Sequence, residues 1–172
     1  MEFQTRNLTI KPFSVSDEAA VIALFTDETV KRTYMVPDFP DREAAAALFA
    51  RLRGLSLSKE RYVAGIYLDE TLIGIVNETE VSGRSIELGY AIAPAFQNRG
   101  YGTQMLTGAI AYLFGQGFDE VVAGAFAENR ASIRVMMKSG MNPLDRQEEI
   151  EYRGQIHRCV YYSVCKGEKE GL

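Results

Sequence analysis

The stretch IELGYAIAPAFQNRGYGT, residues 86–103, decides the fold of this chain because it leads from a strand into a helix. Residues 86–93 form an apolar run that is typical of a buried strand, and beyond position 104 the apolar residues recur at helical steps. Pro94 has no N–H for a sheet ladder, so it ends or kinks the strand. Gly100 and Gly102 lie at the turn, where glycine permits a positive φ and the close approach of a ligand.

This turn predicts a binding site for an anion. The N–H groups at a helix N-terminus lack partners within the helix and lie at the positive end of its dipole. Arg99 adds a planar cation that suits a phosphate group. A tight turn without a ligand would need the same two glycines and stays an alternative. Neither the third glycine of the dinucleotide fingerprint nor the Gly-Lys-Ser/Thr ending of the phosphate loop is present in the sequence.

Three segments together resemble the GNAT acetyltransferases, and in particular their RimJ/RimL branch. Gln97-x-x-Gly100-x-Gly102 resembles the loop that holds the pyrophosphate of acetyl-CoA in this family. Residues 127–141 (AENRASIRVMMKSGM) are similar to the branch's segment Asn-x-x-Ser-x-x-x-x-x-Lys-x-Gly-Phe. Residues 5–12 (TRNLTIKP) are similar to its opening Thr-x-Arg-Leu-x-Leu-Arg-Pro. The segments follow the family's order, and the resemblance extends over residues 5–162.

The resemblance implies the GNAT fold, an α/β (α+β) domain. Its mixed, mostly antiparallel sheet would have about six to seven strands, splay in the middle and be flanked by about four helices. The strands that splay would be 86–93 and 121–126. The chain shows no repeat or linker, so we expect a single N-acetyltransferase domain over residues 1–172. The charged residues 166–172 would form a frayed tail.

Composition narrows the class of protein. The 172 residues are 47% apolar and suit one domain with a full-sized core. The net charge of −4 comes without a basic cluster, so nucleic acid is not an expected partner. The polar N-terminus and the lack of an apolar run of about 18 residues predict a cytoplasmic protein that does not interact with a membrane. We expect this protein to be a monomer or a homodimer. Cys159 and Cys165 would lie about 20 Å apart on one strand, beyond disulfide reach, as reduced thiols.

The resemblance implies acetyl-CoA as co-substrate, without a metal. The pyrophosphate would bind the amides of residues 99–103, and the pantetheine arm would pair with free backbone groups before Pro94 as an added strand. Asn129 and Ser132 would contact that arm, although Asn129 also suits a helix N-cap and Ser132 a solvated position. The remaining predicted cofactor residues are Ala91, Ile92, Ala93, Gln97, Asn98, Arg99, Gly100, Tyr101, Gly102 and Thr103.

Acetyl transfer to an amine requires a proton acceptor and a donor for the developing oxyanion. Glu87 is the first candidate for the base and Glu78 the second, because both lie on strands predicted near the groove. A solvated carboxylate or an ion pair is the alternative for each. A backbone N–H before Pro94 would contact the oxyanion. Many family members have a tyrosine as general acid where this chain has Met136, which leaves three candidates for the acid: Tyr90, Tyr101 and Ser132.

In the family, the acceptor groove is lined by the loop between the first two helices and by the last hairpin. This implies Tyr34, Met35, Phe39 and Tyr152 as substrate-binding residues, with ordinary packing as the alternative for each. The predicted function is direct transfer of an acetyl group, in a ternary complex, to a primary amine of a protein N-terminus or a small molecule. The missing tyrosine leaves a non-catalytic acyl-CoA-binding sensor or scaffold as the alternative. A nucleophilic Cys159 beside His157 has no further support in the sequence.

Overall fold

The computed structural model describes residues 1–167, so positions 168–172 of the predicted tail lie outside the described residues. Lys166, at the start of that tail, is hydrogen-bonded at both ends. Its N–H donates to the carbonyl of Asp119 at 2.8 Å, and its Nζ donates to the carbonyl of Phe114 at 3.1 Å. Among the described residues, none of the helices is both long enough and apolar enough to cross a membrane.

Eight strands and five α-helices follow one another along the described chain. The strands are β1 (Phe3–Gln4), β2 (Leu8–Lys11), β3 (Val63–Leu68), β4 (Thr71–Ser82), β5 (Ser85–Ile92), β6 (Glu120–Phe126), β7 (Asn142–Tyr152) and β8 (Gln155–Cys165). The helices are α1 (Glu18–Thr26), α2 (Glu28–Lys31), α3 (Arg42–Leu57), α4 (Tyr101–Gly115) and α5 (Arg130–Lys138). Short 3-10 turns cover Val15–Asp17 and Pro94–Phe96.

The strands follow the order β1-β2-β3-β4-β5-β6-β8-β7. Strands β5 and β6 run parallel, whereas β2–β3, β3–β4, β6–β8 and β7–β8 pair antiparallel, so the sheet is mixed as expected. The β5–β6 ladder covers four residue pairs and ends at Leu88 and Ala123, although both strands continue. This early end of the ladder is the divergence that the family's splayed strands imply.

The predicted α/β fold with a mixed sheet is confirmed, with slightly more elements than the approximate counts. The structure has eight strands and five α-helices, where the resemblance implied six to seven and four. Strand β1 has two residues and pairs only with β2, so it has too few residues to show an alternating pattern. Helix α2 is a single turn in a segment predicted as loop, held by the Asp27 carboxylate, which accepts from the N–H groups of Thr29 and Val30.

Contacts between Cα atoms divide the described chain into two compact units. The first comprises Met1–Asn77 and Tyr90–Tyr101, and the second comprises Glu78–Gly89 and the chain from Gly102 onward. The core of the first unit joins α1, α2, α3 and neighbouring strands through Phe13, Val21, Leu24, Phe25, Val30, Val36, Phe49, Val63, Ile75 and Ala91. In the second unit, α4 buries the side chains on one helical face, namely Met105, Leu106, Ala109, Ile110 and Leu113. The single-domain organisation stays a prediction.

Two glycines of the first unit give a prediction about stability. A Cβ on Gly74 of β4 would collide with the backbone carbonyl oxygen of Ala91, whereas a Cβ on Gly54 of α3 meets nothing within 4 Å. Backbone atoms cannot rotate away, so Gly74→Ala is expected to cost about 1–3 kcal/mol or more of unfolding free energy. Gly54→Ala is expected to gain up to about 1 kcal/mol, because alanine is the better helix former. Urea unfolding measures both, and equal effects would contradict the packing at Gly74.

Candidate active site

The segment between β5 and α4 is held in place by hydrogen bonds to the strands beside it. The Ala93 N–H donates to the Ile73 carbonyl of β4 at 2.8 Å, and the Ala93 carbonyl accepts from the N–H of Phe96. The side-chain Nε2 of Gln97 returns to the end of β5 and donates to the Ile92 carbonyl at 2.8 Å. Gln97 therefore closes the loop onto the strand that precedes it.

Some of the backbone groups at residues 91–93 that were expected to be free for the pantetheine arm already have partners, namely the Ala93 N–H and the Ile92 carbonyl. Backbone groups of neighbouring strand residues point to opposite edges of a strand. Since the Ala93 N–H faces β4, the backbone groups of Ala91 face β4 as well. Only those of Ile92 point to the other edge of β5. The expected oxyanion donor before Pro94 is therefore the Ile92 N–H, because the Ala93 N–H already has a partner.

Two residues of the loop have left-handed backbone conformations, with φ of +61° at Asn98 and +82° at Gly100. Helix α4 then begins at Tyr101. Its first turn contains no acidic side chain, so the positive end of the helix is not neutralised from within. Arg99 is exposed, and its guanidinium lies 5.9 Å from the centre of the Phe96 ring. Residues 97–100 are exposed and residues 101–103 half-buried, and the binding of an anion by their backbone amides stays a prediction.

Gly102 has a different role from Gly100. A Cβ on Gly102 would lie 3.3 Å from Cγ2 of Val135 in α5, so this glycine permits close packing of two helices in the second unit. A Cβ on Gly100 would meet nothing within 4 Å. Only Gly100 therefore tests the loop without disturbing helix packing.

The motif asparagine caps helix α5. The Asn129 Oδ1 accepts from the Ser132 N–H at 3.1 Å, which is the capping role that the sequence left open. The Nδ2 group of Asn129 takes no part in this cap. Met136 is fully buried, so the residue at the usual tyrosine position is part of the core. Tyr90, Tyr101 and Ser132 stay candidates for the acid.

Glu87 of β5 lies in a network of charged residues within the second unit. Its Oε2 accepts from Nη1 of Arg146 at 2.9 Å, and its Oε1 accepts from the hydroxyl of Thr79 at 3.0 Å. Its side chain is 17% exposed. Arg146 in turn donates from Nε and Nη2 to Oε1 of Glu148, both at 2.8 Å. The ion pair is the alternative that the sequence left open for Glu87, and the role of Glu87 as base stays a prediction.

A bulge in β7 brings Arg146 to Glu87. Pairing between β7 and β8 passes from Pro143–Tyr162 to Gln147–Val160, so three residues of β7 face the single residue Tyr161. Bulges bend a strand and redirect its side chains, often beside active sites. The Arg146 guanidinium lies 3.8 Å from the centre of the Tyr161 ring, and the Tyr161 hydroxyl donates to Oε2 of Glu148 at 2.9 Å.

Glu87 and Arg146 of this network line a cleft of about 190 Å³ in the second unit. Its lining comes from β4, β5, β6 and β7, namely Glu80, Ser82, Ser85, Glu87, Glu120, Val122, Leu144 and Arg146. The hydrogen bonds from Arg146 and Tyr161 hold the pKa of the Glu148 carboxyl below its usual value. Burial, followed by the bond to Glu148, raises the pKa of the Tyr161 hydroxyl. Both groups therefore keep fixed charge states near neutral pH.

Glu78, the second candidate base, is half-buried on β4 in the same unit as Glu87. Sequence reasoning missed Arg146, Glu148, Thr79 and Tyr161 as neighbours of Glu87. The run of acidic residues at 148–151 was visible, but nothing in it indicates a contact with a strand about 60 positions earlier.

The cysteines are free thiols, as predicted. Burial raises the pKa of the Cys159 thiol, which disfavours the thiolate that a nucleophile needs. The imidazole of His157 stacks on Phe126 at 4.3 Å, and its Nδ1 lies 2.6 Å from Oε1 of Glu128. His157 is therefore oriented by Glu128, and a pair with Cys159 gains no support.

The residues predicted to contact the amine acceptor mainly pack against neighbouring side chains. The Tyr34 hydroxyl donates to Oδ1 of Asn77, its ring stacks on Phe25, and burial raises its pKa. Phe39 packs half-buried against the core of the first unit, whereas Met35 is 53% exposed. Tyr34, Met35 and Phe39 belong to the first unit. Tyr152 belongs to the second, where its ring lies 6.0 Å from that of Phe126.

The mixed sheet has a parallel strand pair that ends early, and a glycine turn then leads into a helix. This is the arrangement that the resemblance to the acetyl-CoA-dependent GNAT acetyltransferases implies. The comparisons agree with this class. The sequence model of the acetyltransferase (GNAT) domain matches residues 7–142, so the chain belongs to the GNAT acetyltransferase family. It is thus an acyltransferase with acetyl-CoA as donor. Among the described residues, no group of three or more His, Cys, Asp and Glu side chains is arranged to hold a metal ion.

Individual relatives agree over nearly the whole chain. The uncharacterized N-acetyltransferase YoaA of Bacillus subtilis is 26% identical over 169 residues, which cover 95% of this chain and 96% of that protein. The crystal structure of a GNAT-family acetyltransferase from Bacillus anthracis is similar with a TM-score of 0.82 at 22% identity, covering 96% of this chain and 98% of the other. RimL, a ribosomal L7/L12 alpha-N-protein acetyltransferase in complex with coenzyme A, has a TM-score of 0.80 at 16% identity, with 96% and 98% covered.

Proposed function

We propose that this protein transfers an acetyl group directly from acetyl-CoA to a primary amine in a ternary complex, with the α-amino group of a protein N-terminus as the first candidate acceptor. The observation that carries the proposal is the exposed loop from β5 to α4, with its left-handed Gly100 and a first helical turn free of acidic side chains. The acceptor class is supported by the likeness to an alpha-N-protein acetyltransferase. A small-molecule amine is the second candidate.

In this proposal, the backbone amides of residues 99–103 hold the pyrophosphate, with Arg99 as an additional cation and Gln97 and Asn98 shaping the loop. The Ile92 carbonyl, which accepts from Nε2 of Gln97, has a second lone pair for the pantetheine arm. Asn129 offers its Nδ2 and Ser132 its hydroxyl to the same arm. These contacts would fix the thioester at the end of β5, where the Ile92 N–H would stabilise negative charge on the carbonyl oxygen.

The chemical step needs no covalent intermediate with the enzyme. The amine nitrogen attacks the thioester carbon, its proton passes to Glu87 directly or through water, and the C–S bond breaks as the thiolate leaves. Glu78 is the second candidate for the proton acceptor. Tyr34, Met35, Phe39 and Tyr152 are proposed to contact the acceptor.

An amine panel tests the proposal. Thiol release from acetyl-CoA is measured with short peptides that have a free α-amino group, with the same peptides blocked at that group, and with small primary amines. We expect turnover with the free peptides and none with the blocked ones, because the attacking nitrogen must carry a lone pair. Binding of CoA without turnover on any amine would contradict the proposal and favour a non-catalytic acyl-CoA-binding module.

A further inference from the structure

Lys31 is a buried cation in the first unit that the proposed chemistry does not use. It is the last residue of the single-turn helix α2, and its side chain is 9% exposed. Its Nζ donates to Oδ1 of Asp38 and lies 3.5 Å from Oε1 of Glu28. A lysine is almost never buried unless it is paired, so a carboxylate at Nζ is a condition for this position.

The two ion pairs of Lys31 differ in what they join. Glu28 lies three positions earlier and belongs to α2 itself. Asp38 lies seven positions later, in the segment that leads from α2 to α3. We call residues 32–39 of this segment the acceptor loop, because it contains three of the side chains proposed to contact the amine, namely Tyr34, Met35 and Phe39. The Lys31–Asp38 pair therefore joins the two ends of the acceptor loop.

Between these ends, the acceptor loop is fixed at Tyr34 and Val36. The Tyr34 hydroxyl donates to Oδ1 of Asn77 in β4, and its ring stacks on Phe25 of α1 at 6.2 Å between centroids. Val36 is 4% exposed and belongs to the core of the first unit. Met35 lies between the two fixed residues and is 53% exposed. The loop thus presents one large apolar side chain at the surface.

The acceptor loop and the end of β5 share one packed core. Val36 and Ala91 are both buried members of this core, and Tyr34, Phe39 and Ala93 pack against it half-buried. The thioester is proposed to lie at the same end of β5. A change in the conformation of the acceptor loop would therefore alter the surface offered to the amine beside that strand.

We propose that the Lys31–Asp38 ion pair holds the acceptor loop in the conformation that binds the amine, so that both are positioning residues. The inference rests on the proposed function, in which Tyr34, Met35 and Phe39 contact the acceptor. A loop that is ordered in the free protein has less conformational freedom to lose when a ligand binds. Without the ion pair, the loop would be ordered only as the amine binds, while the bonds made and broken at the thioester stay the same.

The first experiment is steady-state kinetics of Lys31→Met and Asp38→Asn with the best amine of the panel. The KM for the amine should rise about tenfold in each, the size expected when one or two more side chains must be ordered on binding. Both kcat and the Kd for CoA should stay within about threefold, because neither substitution touches the reacting atoms. Lys31→Met leaves no buried charge behind, since Asp38 is 68% exposed.

The double variant Lys31→Met/Asp38→Asn tests whether the two residues act through one contact. Its KM should equal that of either single variant, because the second substitution has no ion pair left to break. A rise of about a hundredfold, the product of two independent effects, would overturn the inference.

Two controls separate loop closure from loss of charge. Glu28→Gln removes a carboxylate beside the same Nζ without opening the acceptor loop, and its KM should stay within about twofold. Lys11→Met breaks another ion pair of the first unit, with Glu70 at 3.2 Å, and should leave the KM unchanged. An equal rise of KM in Glu28→Gln and Asp38→Asn would contradict the role of loop closure.

Trypsin cleavage after Arg32 reports the state of the loop without turnover. Arg32 is exposed and is the first residue of the acceptor loop, and cleavage there follows the population of locally opened chains. Mass spectrometry should show cleavage about tenfold faster in Lys31→Met and Asp38→Asn, with the midpoint of urea unfolding unchanged. Lys11→Met should be cleaved at the rate of the wild type.

Turnover by the wild type, with unchanged KM and unchanged cleavage in both single variants, would overturn the inference and leave the proposed function intact. Faster cleavage with an unchanged KM would also overturn it, because the loop would then open without any effect on the amine. A wild type that binds CoA and acetylates no amine would overturn the proposed function together with the acceptor role of the ion pair.

Discussion

Gly100→Val is expected to lower the affinity for acetyl-CoA by at least about a hundredfold while the protein stays folded. A hydrogen bond from the backbone to a charged group contributes about 1.5–3 kcal/mol, so losing two at the loop, about 3 kcal/mol or more, corresponds to this factor. The valine side chain would meet no other atom of the protein within 4 Å of its Cβ. It would project into the space in front of the amides and disfavour the φ of +82° that orients them.

Isothermal calorimetry with CoA and acetyl-CoA measures this effect. Gly117→Val is the matched control, because Gly117 has a φ of +99°, has equally open space around its Cβ and lies beyond the other end of α4. Backbone strain should lower the free energy of unfolding of both variants by a similar amount, about 1–3 kcal/mol. Only Gly100→Val should lose affinity for CoA and acetyl-CoA. An unchanged affinity in Gly100→Val would show that the pyrophosphate does not bind at this loop.

Glu87→Gln is expected to lower kcat by about 10² to 10⁴, the range for removal of a general base, with little effect on CoA affinity. Glutamine has nearly the shape of glutamate, so the Thr79 and Arg146 contacts of Glu87 lose charge rather than space. The acid limb of the pH–rate profile should flatten, because the group that must be ionised is no longer there.

Two other glutamates of the same unit serve as comparisons for Glu87→Gln. Glu120 lines the same cleft and accepts from the Ser85 hydroxyl at 2.8 Å, so Glu120→Gln removes a comparable charge outside the proposed chemistry. It should keep kcat within a few-fold, at about the effect of a surface charge. Glu78→Gln tests the second candidate base directly. A large loss in Glu78→Gln with a normal profile in Glu87→Gln would transfer the role to Glu78.

Local signals in the sequence were sufficient for several elements. Asp41 stands before an alanine-rich run, which predicts a capped helix over residues 42–57, and its carboxylate accepts from the Ala44 N–H at the start of α3 (Arg42–Leu57). Ser14 followed three residues later by Asp17 is a capping-box pattern, and the two residues form this box at the start of the 3-10 turn before α1. Each of these interactions joins residues three or fewer positions apart. A cap or turn of this kind depends only on adjacent residues, so the sequence pattern predicts it directly.

The remaining features depend on contacts between segments that are distant in the chain. Arg146 and Glu87 are 59 positions apart, and they meet because β7 bulges where three of its residues face one residue of β8. Likewise, the Ala93 N–H is taken by Ile73 through the pairing of β5 with β4, which no local pattern reveals. The sequence by itself thus determined the family, the glycine turn and the helix caps, because these depend on residues close in the chain. Only the tertiary structure decided the partners of Glu87 and the orientation of the Ile92 backbone, because strand register and bulges are set by contacts between distant segments.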